Sequence, residues 1–293
     1  MIGPLLQRLF IALQYVLPQH ALSRLVYHLT RSRIPWLKNA LIGWFTRSYR
    51  PDMSEYLLAE PLAYPSFNAF FTRALRPGAR QLPPDSYAIA CPVDGAVSMA
   101  GSIEQDRLLQ AKGQYYTLAE LLAESTDSGA LFERGWFATL YLAPFNYHRI
   151  HMPMEGVLRG AWHVPGSLFS VNAATAARVP RLFARNERVV CLFDGPFGPF
   201  AMVLVGALFV GSISTVWHGQ ITPRRAGGPS MLPEVPRQAL ARGEEFARFN
   251  MGSTVILLLP ARLGSWGRNL GPGSAVRVGQ SIGRLAAAVQ ALH

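Results

Sequence analysis

The sequence predicts an α+β fold in which basic amphipathic N-terminal helices precede a mainly β body of the barrel or sandwich type. Near the N-terminus, apolar residues recur at helical spacing. From about residue 86 onward, short β-favouring runs alternate with Gly and Pro turns, as they do in antiparallel β proteins. These two patterns divide the chain into a helical region, residues 1–60, and a body, residues 61–293.

The helical region is basic as well as apolar. No uncharged apolar run reaches the roughly 18 residues that a membrane span requires, because Arg8 and Pro18 interrupt the first one. We expect helices that lie on an anionic membrane surface. The alternative is a set of helices packed on the body, with their arginines solvated. Residues 1–51 contain no Asp or Glu and seven basic residues: Arg8, Arg24, Arg31, Arg33, Lys38, Arg47 and Arg50.

The whole chain carries a formal net charge of +11, which suits either nucleic acid or an anionic membrane as a partner. The Lys and Arg residues cluster in the apolar N-terminal region. They do not alternate with aromatic residues along a predicted strand, which is the pattern expected of a protein that binds single-stranded nucleic acid. Nucleic-acid binding is therefore the less favoured hypothesis. Cys91 and Cys191 are far apart and form no CxxC pattern, so we interpret both as reduced core residues.

The remaining elements follow from local patterns. Phe67, Phe70 and Phe71 of FNAFFTR (67–73) either extend the membrane contact or belong to the core, and the core interpretation is favoured. Residues 223–243 are rich in Pro, Gly and Arg and are predicted to form a loop. The other predictions are a short helix over 52–63, helices over 117–124 and 173–178, a strand over Thr254–Leu259, and a closing helix from about residue 280.

Three short stretches contain residues that could carry out chemistry. PVDG (92–95) places Asp94 at a turn, YHRIHMP (147–153) places two histidines three residues apart, and MGST (251–254) places Ser253 before a strand. Each stretch alone is typical of ordinary structure, since Asp-Gly and Gly-Ser are common turn pairs. A zinc site is disfavoured, because no third ligand stands at the required spacing from His148 and His151.

The three stretches become informative if they meet in space. A serine hydroxyl gains nucleophilicity when a neighbouring base takes its proton and a carboxylate orients that base. Asp94, His151 and Ser253 could supply these roles. With an external ester or amide as substrate the protein would be a hydrolase, and with the preceding carbonyl it would cleave itself. Gly252 favours self-cleavage, because glycine tolerates the strained geometry of an acyl shift.

In this order, these stretches resemble those of the phosphatidylserine decarboxylase family, of the bacterial membrane-associated type. The likeness covers about residues 60–260 and departs from the usual LGST motif at one position, where Met251 stands for leucine. That change nearly conserves volume. Further stretches similar to the family are FNAFFTR (67–73), LQAKGQYYTL (109–118), PGSLFSVN (165–172), LFARNERVVCLFD (182–194) and VGSISTVWHGQITP (210–223).

The resemblance implies a proenzyme that makes its own prosthetic group. By that likeness, His151 acts as the base on Ser253, and Asp94 orients His151. Ser253 attacks the carbonyl of Gly252, the chain is cut between these two residues, and residue 253 becomes a pyruvoyl group. His148 matches a family histidine that assists substrate binding or proton handling.

The resemblance also implies the reaction and its setting. The pyruvoyl group forms a Schiff base with phosphatidylserine, which loses carbon dioxide to give phosphatidylethanolamine in phospholipid biosynthesis. No metal takes part. Chains 1–252 and 253–293 remain together as a heterodimer, which is expected to dimerise further. The enzyme is expected to be peripheral on the cytoplasmic face of the cell membrane.

Overall fold

The computed structural model describes residues 4–111, 113–123, 129–209, 212–224, 227–233, 239–262 and 264–286. The helices are α1 (Pro4–Val16), α2 (Gln19–Arg31), α3 (Pro35–Tyr49), α4 (Phe67–Phe71), α5 (Leu118–Leu122), α6 (Gly129–Phe132), α7 (Ala173–Ala176) and α8 (Leu182–Arg185). The strands are β1 (Ala88–Ala90), β2 (Gly95–Ser102), β3 (Arg107–Ala111), β4 (Gln114–Thr117), β5 (Trp136–Leu142), β6 (Arg149–His151), β7 (Gly156–Val164), β8 (Arg188–Gly195), β9 (Gly198–Val205), β10 (Ile213–Thr215), β11 (Gly219–Ile221), β12 (Ser230–Met231), β13 (Ala239–Leu240), β14 (Glu245–Phe249), β15 (Ser253–Leu259), β16 (Gly264–Trp266), β17 (Ala275–Val276) and β18 (Ser281–Leu285).

The largest sheet is antiparallel, with the order β12-β7-β8-β9-β15-β5-β2-β17, and β13 also pairs with β7. Smaller sheets have the orders β11-β10-β14-β6 and β1-β18-β16. Within the described residues these sheets stay open, so the body is sandwich-like and not a closed barrel. The predicted α+β class is confirmed, with the sandwich as the correct alternative for the body.

Strand β15 lies inside the largest sheet, between β5 and β9. All seven of its residues are buried, which explains why STVILLL lacks the alternation of a half-exposed strand. The predicted strand over Thr254–Leu259 is confirmed and begins one residue earlier. Ser253 is therefore the first residue of a buried strand, and it is paired with Leu142 of β5.

The three N-terminal helices each contact the body through one side. From α1, the side chain of Gln14 accepts a hydrogen bond from the backbone N–H of Ser170, at 2.8 Å. From α2, Ser23 Oγ accepts one from the N–H of Phe209, at 3.2 Å. Phe45 of α3 joins an aromatic cluster with the residues of α4.

The other sides of these helices remain apolar and exposed. The region therefore packs on the body, as one hypothesis predicts, and it also presents the apolar surface that the membrane hypothesis requires. None of the described helices has the length and hydropathy needed to cross a membrane. Exposed apolar residues of α1, α2 and α3 are Leu5, Leu6, Leu9, Phe10, Leu13, Val16, Leu25, Leu29, Trp36 and Trp44.

Several local predictions are confirmed. Phe67, Phe70 and Phe71 are at most 4% exposed, and Cys91 and Cys191 are buried and free. Burial raises the pKa of the Cys91 thiol to about 12. Helices α5 and α7 occupy the two segments predicted over 117–124 and 173–178, although residues 124–128 lie outside the described residues.

Two predicted helices are wrong. In the segment 52–63, Asp52 Oδ1 accepts the N–H of Ser54 at 2.9 Å, a local turn that competes with a helix, and only a short 3₁₀ turn forms at Pro61–Ala63. Near the C-terminus, β18 replaces the start of the closing helix. A Cβ at Gly283 would lie 2.5 Å from the carbonyl oxygen of Ser265, so glycine permits a close strand pair there. Residues 287–293 lie outside the described residues.

Candidate active site at the Gly252–Ser253 bond

Strand β5 brings the candidate residues to one end of the largest sheet. Strand β2, which begins just after Asp94, pairs with one side of β5, and β15, which begins at Ser253, pairs with the other. A Cβ at Gly95 would lie 2.2 Å from the carbonyl oxygen of Tyr141, so the Asp-Gly pair allows this close approach. The histidine stretch follows β5 along the chain.

The Gly252–Ser253 bond joins a left-handed turn to β15. Gly252 has φ +29°, a region that side-chain-bearing residues avoid. Ser253 is 1% exposed, and its Oγ has no hydrogen-bond partner among the described residues. A buried hydroxyl without a partner is costly. A buried serine hydroxyl therefore directly follows a glycine in the left-handed region.

The segment before this bond is held firmly. The carbonyl oxygen of Asn250 accepts a hydrogen bond from the Asn68 side chain, at 2.6 Å. The side-chain amide of Asn250 donates to Ser212 Oγ at 2.7 Å and to Ser214 Oγ at 2.9 Å. These bonds fix the chain on one side of the bond, and the β15 ladder fixes it on the other.

His148 is the titratable side chain beside Gly252. A Cβ at Gly252 would lie 3.7 Å from His148 Nε2, and this nitrogen has no hydrogen-bond partner among the described residues. The imidazole is fully buried and contacts the Phe71 ring, with 4.1 Å between ring centroids. Burial, with a smaller effect from the positive charge of Arg73, lowers the pKa of His148 to about 3. The imidazole is therefore neutral near pH 7.

Arg73 is a buried cation close to His148. It forms no salt bridge within the described part of the chain. Its guanidinium donates to the hydroxyl of Tyr56 at 3.1 Å and to the carbonyl of Phe145 at 3.0 Å, and it lies 4.2 Å from the centre of the Tyr56 ring. Phe145 belongs to the loop that leads to His148. Arg73 therefore fixes this loop and adds a positive field.

Sequence reasoning did not single out Arg73. It appeared only as the last letter of FNAFFTR, a stretch interpreted as core. Its position in an otherwise aromatic stretch could have indicated a specific role. Arginine is rarely buried, so an arginine in a stretch that is expected to be buried needs a specific reason.

His151 uses both ring nitrogens. Nδ1 lies 2.8 Å from the carbonyl oxygen of Gly243, which can only accept, so Nδ1 carries the proton. Nε2 is then the acceptor for the hydroxyl of Tyr147, at 3.0 Å. Burial lowers the pKa of His151, although the Gly243 carbonyl opposes this effect.

Asp94 is held by other groups. Its carboxylate accepts hydrogen bonds from the Arg80 guanidinium at 2.6 Å and from the N–H of Val278 at 2.8 Å. The backbone N–H of His151 donates to the carbonyl of Pro92 at 2.9 Å, so the two stretches are neighbours. Among the described residues, however, no direct hydrogen bond joins Asp94 to His151 or His151 to Ser253.

An apolar cavity of about 270 Å³ reaches the Gly252–Ser253 bond. Its walls include Trp44 and Tyr49 of α3, Phe71, Phe209 and Met251. The cavity thus connects the bond to the helix that carries exposed tryptophans. In the part of the chain that the structure describes, no group of three or more His, Cys, Asp or Glu residues is arranged to hold a metal ion.

Comparisons with known proteins agree with this geometry. A family model described as phosphatidylserine decarboxylase matches residues 67–284, and a model described as PSD matches residues 9–50. The chain is 51% identical over 278 residues to the phosphatidylserine decarboxylase proenzyme of Methylococcus capsulatus, which covers 94% of this chain and 96% of that protein. It is 52% identical over 287 residues to a proenzyme of the same name from Pseudomonas putida, covering 97% and 99%.

The fold, the buried serine and these matches define a lipid-modifying enzyme of the decarboxylase class. The chain belongs to the phosphatidylserine decarboxylase family. The resemblance inferred from the sequence motifs is confirmed, and it extends to nearly the whole chain.

Proposed function

We propose that this protein decarboxylates phosphatidylserine to phosphatidylethanolamine and carbon dioxide, after cutting its own chain between Gly252 and Ser253. The observation that carries the proposal is the environment of this bond. A positive-φ glycine precedes a buried serine whose hydroxyl is unpartnered, beside a neutral histidine and an apolar cavity.

In the first reaction, Ser253 Oγ attacks the carbonyl carbon of Gly252. The C–O bond forms, the C–N bond breaks, and the amide becomes an ester. Loss of the Cα proton of residue 253 expels the Gly252 carboxylate. Water then replaces the nitrogen of residue 253, which leaves as ammonia. The products are chains 1–252 and 253–293.

His151 takes the proton of Ser253 in this proposal, and Asp94 stabilises the imidazolium that forms. Burial lowers the pKa of His151 overall, and the charges of Glu245 and, more weakly, Asp94 oppose this effect. The hydrogen bond from Tyr147 occupies Nε2 in the uncut chain, so Tyr147 must release this nitrogen before His151 can act. Self-cleavage is then limited by a local rearrangement.

His148 handles protons at residue 252 and, after cleavage, at the substrate. Its Nε2 faces the scissile position, and the imidazole is neutral and can accept a proton. Burial keeps it neutral, the charge of Arg73 adds a smaller effect in the same direction, and this charge stabilises negative charge nearby.

Residues 252 and 253 fit a pyruvoyl group, because Ser253 is unpartnered and β15 anchors the new terminus in a full ladder. When formed, this group supplies a ketone that condenses with the substrate amine and an electron sink for the bond to the departing carboxylate. The chain supplies the dry cavity, the neutral histidine and the fixed strand. No residue of the site is assigned to a metal.

The enzyme acts at a membrane in this proposal. Region 1–60 lies on the cytoplasmic face as a peripheral anchor, and region 61–293 is the catalytic body. Each Lys or Arg near an anionic surface adds about 1 kcal/mol of attraction. The apolar cavity beside α3 would receive the diacyl lipid from that surface. The cut chains stay together as a heterodimer that pairs with a second copy.

The direct test uses purified protein with phosphatidylserine in detergent micelles, and the lipid products are measured by mass spectrometry. We expect phosphatidylethanolamine and an equal amount of carbon dioxide. Release of fatty acid or of free serine would instead indicate a hydrolase that uses the same serine, and would contradict the proposal.

A further inference from the structure

A second cavity, of about 230 Å³, lies between α2 and the segment that follows β11. It shares no lining residue with the cavity at the Gly252–Ser253 bond. Three of its lining side chains are His20, Arg24 and His28, and Thr222 faces them from the body. None of the lining residues that the structure describes is acidic. The cavity is therefore suited to an anion.

These three side chains form one strip along α2. At about 100° per residue, His20, Arg24 and His28 fall within an arc of roughly 80°. Leu25 and Leu29, which are 56% and 42% exposed, lie on one flank of this strip. On the other flank the helix packs on the body through buried residues, Ser23 and Thr30. The basic strip thus separates the packed side of α2 from its exposed apolar side.

The strip is kept in place by contacts with the body. His20 Nε2 lies 3.1 Å from the carbonyl oxygen of Gly166, and Tyr27 accepts a hydrogen bond from Gln220 at 2.7 Å. The Arg31 guanidinium lies 3.8 Å from the centre of the Tyr27 ring, which adds a further cation next to the cavity. Arg24 forms no salt bridge within the described ranges. Its guanidinium is left available to a ligand.

We infer that this cavity binds the phosphate-bearing headgroup of an anionic phospholipid at a site separate from the active site. Arginine matches phosphate oxygens with paired hydrogen bonds. A bilayer that contacts Leu25 and Leu29 brings its headgroup layer over the basic strip. Binding there would fix the rotation of α2 on the membrane. This inference rests on the proposed membrane attachment, but it does not depend on the chemistry at Ser253.

The test compares Arg24→Gln with Arg47→Gln. Each variant removes one exposed cation from the helical region, so both lose the same formal charge. Co-sedimentation is measured with vesicles of phosphatidylcholine alone and with vesicles containing phosphatidylglycerol. We expect Arg24→Gln to bind the phosphatidylglycerol vesicles about tenfold more weakly than the parent. Arg47→Gln should lose about twofold, and binding to phosphatidylcholine should be unchanged.

Equal losses in the two variants would overturn the inference, because they would show attraction by net charge alone. Equal binding of Arg24→Gln and the parent would also overturn it. Self-cleavage and decarboxylation in detergent micelles are measured for the same preparations. Both should match the parent, so a failure of the proposed catalytic function is distinguished from a failure of this site.

Discussion

The body and the N-terminal helices use apolar residues in opposite ways. In β15, every residue from Ser253 to Leu259 is buried, and the residues from Thr254 to Leu258 are paired on both sides. In α1, Leu5 and Val16 are 79% and 77% exposed, although the same helix contacts the body. The body therefore holds reacting atoms in place, while the helices leave apolar surface free for a lipid. The two regions meet where Trp44 lines the cavity that reaches Ser253.

The largest effect is expected from Ser253→Ala, which breaks the function of the body while its packing is kept. Removing this hydroxyl, which has no partner in the described part of the chain, should abolish both self-cleavage and decarboxylation, because it is the proposed nucleophile. Gel electrophoresis and a lipid assay measure the two losses. Thr254→Val is the matched control, since it removes the neighbouring buried and unpartnered hydroxyl and should leave cleavage intact. Cleavage of the Ser253→Ala chain at the same bond would refute this account.

Substitutions of the two histidines should affect self-cleavage and decarboxylation differently. His151→Ala is expected to leave the chain uncut, with decarboxylation lost as a consequence. His148→Ala should reduce decarboxylation by about 10²-fold or more and slow cleavage less. The amounts of cut chain and of lipid product are measured for each variant. The opposite pattern would transfer the role of base on Ser253 to His148, the histidine that lies beside Gly252.

Substitution of Arg73 tests whether its positive charge affects catalysis in addition to the hydrogen bonds with which it fixes the neighbouring loop. Its charge disfavours protonated His148, so Arg73→Gln should raise the pKa of that histidine. If His148 acts in its neutral form, as proposed, activity is lost as the pH falls through its pKa. The acid limb of the decarboxylation profile should therefore move to higher pH, by roughly half a unit or more.

Arg73→Lys keeps the charge and serves as the control, so its acid limb should stay near that of the parent. If both variants lose activity at every pH without a shift of the limb, Arg73 acts only by fixing the loop at Phe145.

The smallest effect concerns the helices. Trp36 is 72% exposed, and Trp36→Ser should weaken binding to anionic vesicles by roughly tenfold, because part of a large apolar side chain no longer enters the interface. Met231→Ser changes a residue of the body that is 60% exposed and should leave vesicle binding unchanged. Equal losses of vesicle binding in the two variants would show that the helices contribute no more than the body to membrane binding.

Local sequence patterns predicted the parts of the fold that depend on local physics. The apolar run after Ser253 predicted β15, and the helical pattern of residues 117–124 predicted α5. The helix predicted over 52–63 failed, because the side chain of Asp52 bonds to the backbone and forms a turn. The start of the predicted closing helix is wrong, because Gly283 allows β18 to pair closely with β16, a strand that is distant in sequence.

For the candidate site, too, local sequence patterns predicted one part, and the other part depends on tertiary packing. Residue types and order suggested Asp94, His151 and Ser253, but the placement of Asp94 and Ser253 at one end of the sheet depends on the register of β5 with both of its neighbours. The position of His148 against Gly252 and the burial of Arg73 also arise from tertiary packing. Spacing along the chain contains none of this information. The resemblance to a family supplied what local patterns lacked.

Intact-mass measurement of the purified protein tests the central claim most directly. The account predicts two polypeptides, residues 1–252 and residues 253–293, with the smaller one lacking a free amino terminus. A single species at the full mass of 32.2 kDa, in a preparation that decarboxylates phosphatidylserine, would contradict it.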